Sequence, residues 1–303
     1  MSSRTIRENF MKRFARFDKP SRNLAVLVIA GYIGQIALAA VAGIYLLSLP
    51  LTPWVGAGLA VTSIFIGTRL RGFNNIVHEC SHFTFTQERQ DNIWMGSFCA
   101  SMVLGCYRDY RDEHLTHHMH LGDYDKDMDL SGIKDLKLEE ELTWRTILRH
   151  VITPFVGLHL PYYLGVNLSA RDGKGFLAMK IALLVGAFGL LAVAPLATLV
   201  LIWVPFIWVY SAINYWTDCM DHGGLLDKED DLSTSRNMLA PKPLRALFFP
   251  RNDCFHLVHH LFPQVPTPHL EECHHVLMSD PNYVAHAIRQ GLSKAPAGAK
   301  QAA

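Results

Sequence analysis

Two long apolar stretches divide the chain, and almost all charged residues lie outside them. The first runs from Leu24 to Thr68, with a turn at Ser48 to Pro53, and the second runs from Ile181 to Ile213, with Pro195 near its middle. A helix that spans a bilayer needs about 20 predominantly apolar residues. Each stretch is therefore long enough for a hairpin of two spans, and we predict spans at about 24–48, 53–70, 176–194 and 196–213.

The composition supports a membrane protein rather than a soluble core. Half of the residues are hydrophobic and 18% are charged, whereas roughly a quarter are charged in typical soluble domains. Seven Lys and Arg side chains precede Leu24, and neither hairpin turn carries a charge. Since basic residues favour the cytoplasmic side, we predict an all-α, multi-pass integral membrane protein whose termini and polar segments, 69–180 and 214–303, are cytoplasmic.

The first 23 residues form a separate segment before the first span. Apolar residues recur at helical spacing among the basic ones: Ile6, Phe10, Phe14 and Phe17. This pattern predicts an amphipathic cytoplasmic helix that lies at the membrane interface or packs on the protein itself. Residues 24–294 are predicted to form one membrane domain, and residues 295–303 a disordered tail.

Charge and cysteine content exclude several functional classes. The chain has 28 basic and 27 acidic side chains, so no overall field favours nucleic acid as a partner. Its six cysteines are scattered without a CxxC pair, which fits neither a disulfide framework nor a zinc-thiolate site. The 16 histidines are the unusual feature, since imidazole is the commonest metal ligand.

Eight of the histidines form three clusters outside the predicted spans. One is an HxxxH pair and two are HxxHH trios: His78 and His82; His114, His117 and His118; His256, His259 and His260. Residues three and four apart share a helix face, so each cluster is expected to aim its imidazoles at one point. Gly122 is expected to close the second helix, and Asn252 and Asp253 to cap the third. Eight imidazoles are too many for one ion, so two metals are implied, and iron suits a redox site facing lipid.

Other metal chemistries match parts of this pattern. Residues 78–82 match HExxH, the zinc-protease motif in which Glu79 would be the general base. A zinc protease needs only one further ligand, so this function would leave the two HxxHH trios unexplained. The ExxH strings ending at His82 and His274 match carboxylate di-iron proteins, but the paired bundle helices are missing. A histidine-rich metal transporter would carry ligands on its spans, and the predicted spans have none.

The order HxxxH, HxxHH, HxxHH around two membrane hairpins resembles the membrane fatty acid desaturase/hydroxylase superfamily. Further matching segments cover most of the chain: Gly122 to Asp129, Asp221 to Gly224, Ser235 to Asn237 and His260 to Pro266. The five-residue first box is more similar to acyl-lipid and sphingolipid desaturases than to acyl-CoA desaturases. The resemblance implies two non-haem irons bound by about nine histidines, with His222 as the ninth.

The implied ligand set consists of His78, His82, His114, His117, His118, His222, His256, His259 and His260. Asn214 lies where some relatives hold a water on one iron, but its spacing to His222 differs, so it is left out. The remaining histidines are predicted to be structural or surface residues: His120, His150, His159, His269, His274, His275 and His286. Histidine ligands usually donate their second N–H to a carboxylate or carbonyl. Asp109, Asp112, Asp221 and Asp253 are candidates, although each also suits a solvated surface.

The resemblance implies an O2-dependent oxidoreductase, with desaturation of a fatty acyl chain in a lipid as the expected reaction. A hydroxylase or ketolase is the alternative, as is a desaturase of a carotenoid, a sphingoid base or a small biosynthetic metabolite. The chain shows no cytochrome b5 haem motif, ferredoxin cysteines or dinucleotide fingerprint. An external ferredoxin or cytochrome b5, with its reductase, is therefore the expected electron donor.

Overall fold

The fold consists of helices joined by short irregular segments. The computed structural model describes residues 3–226 and 230–289, and the predicted tail at 295–303 lies outside this range. Twelve helices of six or more residues carry the architecture: α1 Ser3–Phe14, α2 Arg22–Leu47, α3 Pro53–Ser81, α4 Arg89–Met102, α5 Tyr107–His120, α6 Trp144–Phe155, α7 Lys174–Val193, α8 Pro195–His222, α9 Lys242–Phe248, α10 His256–Leu261, α11 Leu270–Leu277 and α12 Pro281–Arg289. The described residues contain no strand, so the all-α prediction is confirmed.

Three helices are long and apolar enough to cross a membrane: α2, α7 and α8. Only 17% and 6% of the most apolar parts of α2 and α7 are buried within the protein, which is expected for surfaces that face lipid. Helix α3 begins where the second span is predicted and continues to Ser81, but it is not one of the three. The span at 53–70 therefore stays a prediction.

Helix α3 is the centre of the packing and contacts α2, α4 and α8. At Gly67, a Cβ atom would lie 2.5 Å from Val209 Cβ, so glycine permits the close approach of α3 and α8. Helix α8 has π-helical turns over Leu199–Tyr210, around Pro205, and then continues as an α-helix to His222. The end of α8 thereby reaches the same region as the end of α3.

Helix α1 packs on the protein. Ile6 and Phe14 are buried in a cluster that includes Leu257 and Leu261 of α10, and the Phe14 ring meets the Phe262 ring edge-on at 4.8 Å. The apolar side of the amphipathic segment therefore contacts the protein, which is the second of the two arrangements expected from its sequence.

The ends of two histidine-bearing helices test the capping predictions. Gly122 follows α5 with a φ of +93°, so the prediction that it closes this helix is confirmed. The prediction that Asn252 and Asp253 cap α10 is wrong, because α10 begins after Phe255 without a side-chain cap. Asp253 instead accepts a hydrogen bond from Arg71, and Asn252 donates to the Thr267 carbonyl.

Polar contacts hold residues 250–253, the segment before α10, against one face of α3. Arg71 donates to Asp253 at 2.7 Å, and the Asn75 side chain donates to the Pro250 carbonyl at 2.6 Å. Arg251 binds both carboxylate oxygens of Glu79, at 2.6 and 2.8 Å. The Glu79 and Arg251 side chains are only 1% and 13% exposed, so this ion pair is almost fully removed from water.

We expect Glu79→Gln to destabilise the protein strongly, because it leaves the Arg251 guanidinium buried without its counter-charge. Breaking a buried pair in this way costs about 3–5 kcal/mol. The control is Glu8→Gln, which removes an exposed pair with Arg4 and should cost about 1 kcal/mol or less. Thermal unfolding of the detergent-solubilised protein measures both, and equal midpoints for the two variants would contradict the assigned role of the buried pair.

Candidate metal centre

Nine histidines lie together where α3, α5, α8 and α10 meet, in two groups. The ligand nitrogens within each group all lie within 4.8 Å of one another. The first group contains five residues: His78, His82, His114, His118 and His259. The second contains four: His117, His222, His256 and His260. These are the nine residues named from the sequence, and the part of the chain that the structure describes shows no other group of this kind.

Each HxxHH trio is divided between the two groups. In α5, His114 and His118 belong to the first group and His117 belongs to the second. In α10, His259 belongs to the first group, and His256 and His260 belong to the second. Adjacent helical residues point about 100° apart, whereas residues four apart differ by only about 40°. The expectation that each trio aims at one point is therefore wrong, and each trio contributes to both groups.

The ε-nitrogens approach one another as ligands of a common ion do. In the first group, the Nε2 atoms of His82 and His118 lie 3.0 and 3.1 Å from Nε2 of His114. In the second group, His256 Nε2 lies 2.9 Å from the Nε2 atoms of both His222 and His260. Two nitrogens bound at right angles to one ion, at about 2.0–2.1 Å, are about 2.9 Å apart. The observed spacing fits this arrangement.

The partners of the δ-nitrogens fix the tautomers that such ligation requires. His222 Nδ1 donates to the Thr234 carbonyl at 3.0 Å, and His117 Nδ1 donates to Asp127 at 2.9 Å. His114 Nδ1 similarly faces Asp129 at 3.3 Å. With the proton on Nδ1, each Nε2 presents a lone pair to its group. Lone pairs that converge in this way are a suitable donor set for divalent cations.

Electrostatics favour the neutral, ligating form of most of these imidazoles. Burial, reinforced by neighbouring histidines, holds the pKa well below its usual range in His118, His256, His259 and His260. His117 differs: burial lowers its pKa, but the hydrogen bond and charge of Asp127, together with the charges of Asp129 and Asp218, outweigh burial, and the net shift of the pKa is upward. A metal ligand must be deprotonated at the bonding atom, and the lowered pKa values meet that condition without a cost at neutral pH.

The carboxylates beside the histidines are mostly not those expected from the sequence. Asp109 and Asp112 bind Arg171, and Asp253 binds Arg71. Of the four candidates only Asp221 is close, with Oδ2 3.5 Å from His256 Nδ1. Sequence reasoning missed Asp127 and Asp129, which face His117 and His114. Asp127 lies only ten positions after His117, so a short loop brings it back to the helix.

Glu79 is not placed to act as the general base of a zinc protease. Both of its carboxylate oxygens are bound by Arg251, and its HxxxH neighbours belong to a group of five histidines. This geometry contradicts the protease alternative. The second ExxH string is also unsuitable, because Glu271 binds Arg245 and His274 is hydrogen-bonded to Tyr283, outside both groups.

The other seven histidines lie outside the two groups, as predicted. Three are buried and hydrogen-bonded: His150 to Tyr215, His159 to Ser211 and His274 to Tyr283. His269 stacks on Phe17 with ring centres 4.4 Å apart, while His120 and His275 are exposed. These positions agree with structural or surface roles.

A cavity of about 350 Å³ opens beside both groups of histidines. His78 and His114 of the first group and His117, His222 and His256 of the second contribute to its wall. The rest of the lining is mixed: it contains Val77, Val103 and Ile133 but also Tyr163, Asn214 and Asp218. Asn214 accepts a hydrogen bond from Arg71 and lies in neither histidine group. Histidines of both groups therefore line one cavity.

The chain is similar to desaturases over most of its length. The profile of the family described as "Fatty acid desaturase" matches residues 52–291. Dihydrorhizobitoxine desaturase of Bradyrhizobium elkanii is 26% identical, over 78% of this chain and 72% of the relative. The acyl-lipid omega-3 desaturase (cytochrome b5) of the Arabidopsis thaliana endoplasmic reticulum is 24% identical, over 78% and 66%. The sn-2 acyl-lipid omega-3 desaturase (ferredoxin) of Helianthus annuus chloroplasts is 25% identical, over 72% and 53%.

The chain thus spans from about half to about three-quarters of the length of these relatives. The family profile covers far more than half of the chain and includes all nine clustered histidines. On these grounds, the protein is a member of the fatty acid desaturase family, a family of oxidoreductases.

Proposed function

We propose that this protein is an O2-dependent, non-haem di-iron desaturase that introduces a C=C bond into a fatty acyl chain. The observation that supports this most directly is the pair of histidine groups, five and four residues, at one cavity. All nine histidines are the proposed ligands. Two such groups side by side suit two metal ions, and their all-nitrogen donor sets fit iron in a family of oxidoreductases.

When bound, the two irons supply the activation of O2 and the removal of hydrogen from an unactivated C–H bond. The protein positions the imidazole ligands and the substrate. The second N–H groups of His114, His117 and His222 donate to Asp129, Asp127 and the Thr234 carbonyl, which fixes the direction of each imidazole. The cavity wall places the carbon to be oxidised, and this placement decides between removal of a second hydrogen and hydroxylation.

A small polar metabolite is a second candidate substrate. Two observations favour it: the relative with 72% of its length matched is named for dihydrorhizobitoxine, and the cavity wall carries Tyr163, Asn214 and Asp218. Tyr163 donates to Asp218, and Asn214 accepts from Arg71. A polar substrate could add hydrogen bonds to these groups that an acyl chain cannot make. Expression followed by mass spectrometry of lipid and polar extracts separates the two, because only one extract would contain a product two hydrogens lighter.

Electrons are proposed to come from a separate carrier protein with its reductase. The names of the relatives include both ferredoxin and cytochrome b5, so the matched family includes users of both carriers. Either carrier fits the proposed reaction, which requires a one-electron donor of suitable potential.

The proposed topology has four spans in two hairpins, with both termini and the metal centre on the cytoplasmic side. The basic residues before α2 and the uncharged turns after α2 and α7 support this orientation. All nine histidines then lie in the compartment that contains the electron donor. The protein would be a multi-pass membrane enzyme with a helical cytoplasmic cap.

We expect the purified protein to contain two irons per chain, measured by elemental analysis. His82→Ala and His260→Ala, one from each group, should each remove at least one iron and abolish turnover, because each deletes a proposed ligand. His275→Ala changes an exposed histidine and should retain both irons. One zinc per chain, or full iron content in both ligand variants, would contradict the di-iron assignment.

Asp127→Asn is expected to weaken iron retention and activity by about 10- to 100-fold. Asp127 Oδ1 caps the short helix Met128–Ser131, and Oδ2 accepts from His117. Asparagine keeps the capping oxygen but replaces Oδ2 with an amide that cannot accept, so the change is selective for the histidine contact. Asp123→Asn, which alters an exposed pair with Lys126, should match the wild type in a chelator-competition assay. If both variants lose iron equally, the contact has no special role.

Single cysteines test the orientation in intact cells. Leu51→Cys lies in the first hairpin turn and Leu196→Cys at the start of α8, next to the second turn; they replace side chains that are 83% and 62% exposed. Both should react with an impermeant thiol reagent from outside, whereas Gly132→Cys should react only after permeabilisation. The six native cysteines are all buried, which limits background labelling. External reaction at position 132 would overturn the proposed topology.

A further inference from the structure

Helix α6 has an apolar face that the described part of the chain leaves uncovered. Six exposed side chains recur on it at helical spacing: Trp144, Ile147, Leu148, Val151, Ile152 and Phe155. On the other side of the helix, His150 and Thr153 are buried. A continuous apolar face is rare on a surface that faces water. We therefore expect this face to contact an apolar partner.

The chain stays apolar beyond α6 and then turns back. Residues 150–170 contain no Asp, Glu, Lys or Arg. Gly157 ends the helix with a φ of +77°, and the chain returns through the short helix Leu160–Tyr163. We call residues 144–166 the α6 loop. Helix α6 has 12 residues and is about 18 Å long, so it is too short to cross a hydrocarbon core of about 30 Å.

Both ends of the α6 loop are fixed to the polar part of the protein. Near its start, the Arg149 guanidinium donates a hydrogen bond to Glu140. Just after its end, the Asn167 side chain donates to Asp109 at 2.8 Å. The chain therefore leaves and re-enters the polar region on the same side, as a re-entrant membrane segment does.

Aromatic residues mark the two places where the loop meets the polar region. The Arg145 guanidinium lies 5.5 Å from the centre of the Trp144 ring. At the other end, the Tyr162 hydroxyl donates to Asp135 at 3.0 Å. Trp and Tyr are enriched at membrane–water interfaces, because their rings are apolar and their polar atoms reach water. These two positions are typical of a membrane boundary.

The turn of the loop contacts α8 inside the proposed span 196–213. A Cβ atom at Gly157 would lie 3.5 Å from the Trp208 ring. Trp208 precedes Ile213, the proposed end of the span, by five residues, which is about 7 Å along a helix. Interfacial segments insert to a similar depth, about 5–10 Å. Because Val204 and Trp208 are apolar and exposed, the lipid-facing surface of α8 continues onto the loop.

We propose that the α6 loop is a re-entrant segment that inserts into the cytoplasmic leaflet of the bilayer, on the side that bears the metal centre. This inference rests on the proposed topology, and its consequence for the substrate rests on the proposed function. The returning part of the loop lines the cavity beside the histidines through Tyr162, Tyr163 and Gly165. The acyl chain of a lipid substrate in this leaflet therefore lies beside a wall of the cavity.

The test is fluorescence quenching of the iron-loaded protein in phosphatidylcholine nanodiscs whose acyl chains carry bromine either near the headgroup or near the chain end. Phe155→Cys and Leu158→Cys, at exposed positions of the loop, are each labelled with a nitrobenzoxadiazole probe. Both should be quenched about twofold or more, and more strongly by the shallow bromine. Val185→Cys, exposed in the middle of α7, should respond more strongly to the deep bromine, and Gly132→Cys to neither.

Three results would overturn the inference. The first is quenching at both loop positions that is no stronger than at position 132, which would leave the loop in water. The second is blue-shifted emission without quenching, because the face would then be covered by protein. The third is no quenching at position 185, which would remove the span that sets the depth of the loop. Iron content and turnover, measured on the same samples, distinguish failure of insertion from failure of the proposed function.

Discussion

Three side chains at four-residue spacing along α3 hold the segment that precedes the third histidine cluster. Arg71, Asn75 and Glu79 lie on one helix face and bind Asp253, the Pro250 carbonyl and Arg251. The segment needs this support, because Arg251 has a left-handed backbone with a φ of +68°, which costs about 1–2 kcal/mol. Asn252 follows with a φ of +60°, a conformation that asparagine tolerates better. The position of α10, and so of three proposed ligands, depends on these contacts.

Once α10 is fixed, helix geometry alone distributes the histidines. Because neighbouring side chains diverge by about 100°, His117 and His118 belong to different groups, as do His259 and His260. A metal in either group would therefore be bound by residues from both α5 and α10. The two centres are mechanically coupled, and displacement of either helix changes the ligand geometry of both.

The buried carboxylates link metal binding to the stability of this region. Asp127 is fully buried and Asp221 is 1% exposed, and both lie against imidazoles of the second group. Burial of a carboxylate without a full counter-charge is costly, and two divalent ions nearby would supply that charge. Binding of the ions is thus expected to contribute to folding as well as to chemistry.

Local spacing was sufficient to predict an all-helical chain, apolar helices long enough to cross a membrane, and the histidines that gather in two groups. Apolar stretches of about 20 residues and HxxxH or HxxHH repeats follow from helix geometry within one element. Only the tertiary structure decided which imidazoles share a group. It also decided that Asp127 and Asp129 face the imidazoles, whereas Asp109 and Asp112 do not. Finally, it showed that Glu79 binds Arg251 instead of acting as a base. These are contacts between different elements. Glu79 and Arg251 are 172 positions apart, and no local pattern specifies such a pair, since it depends on the path that brings the two segments together.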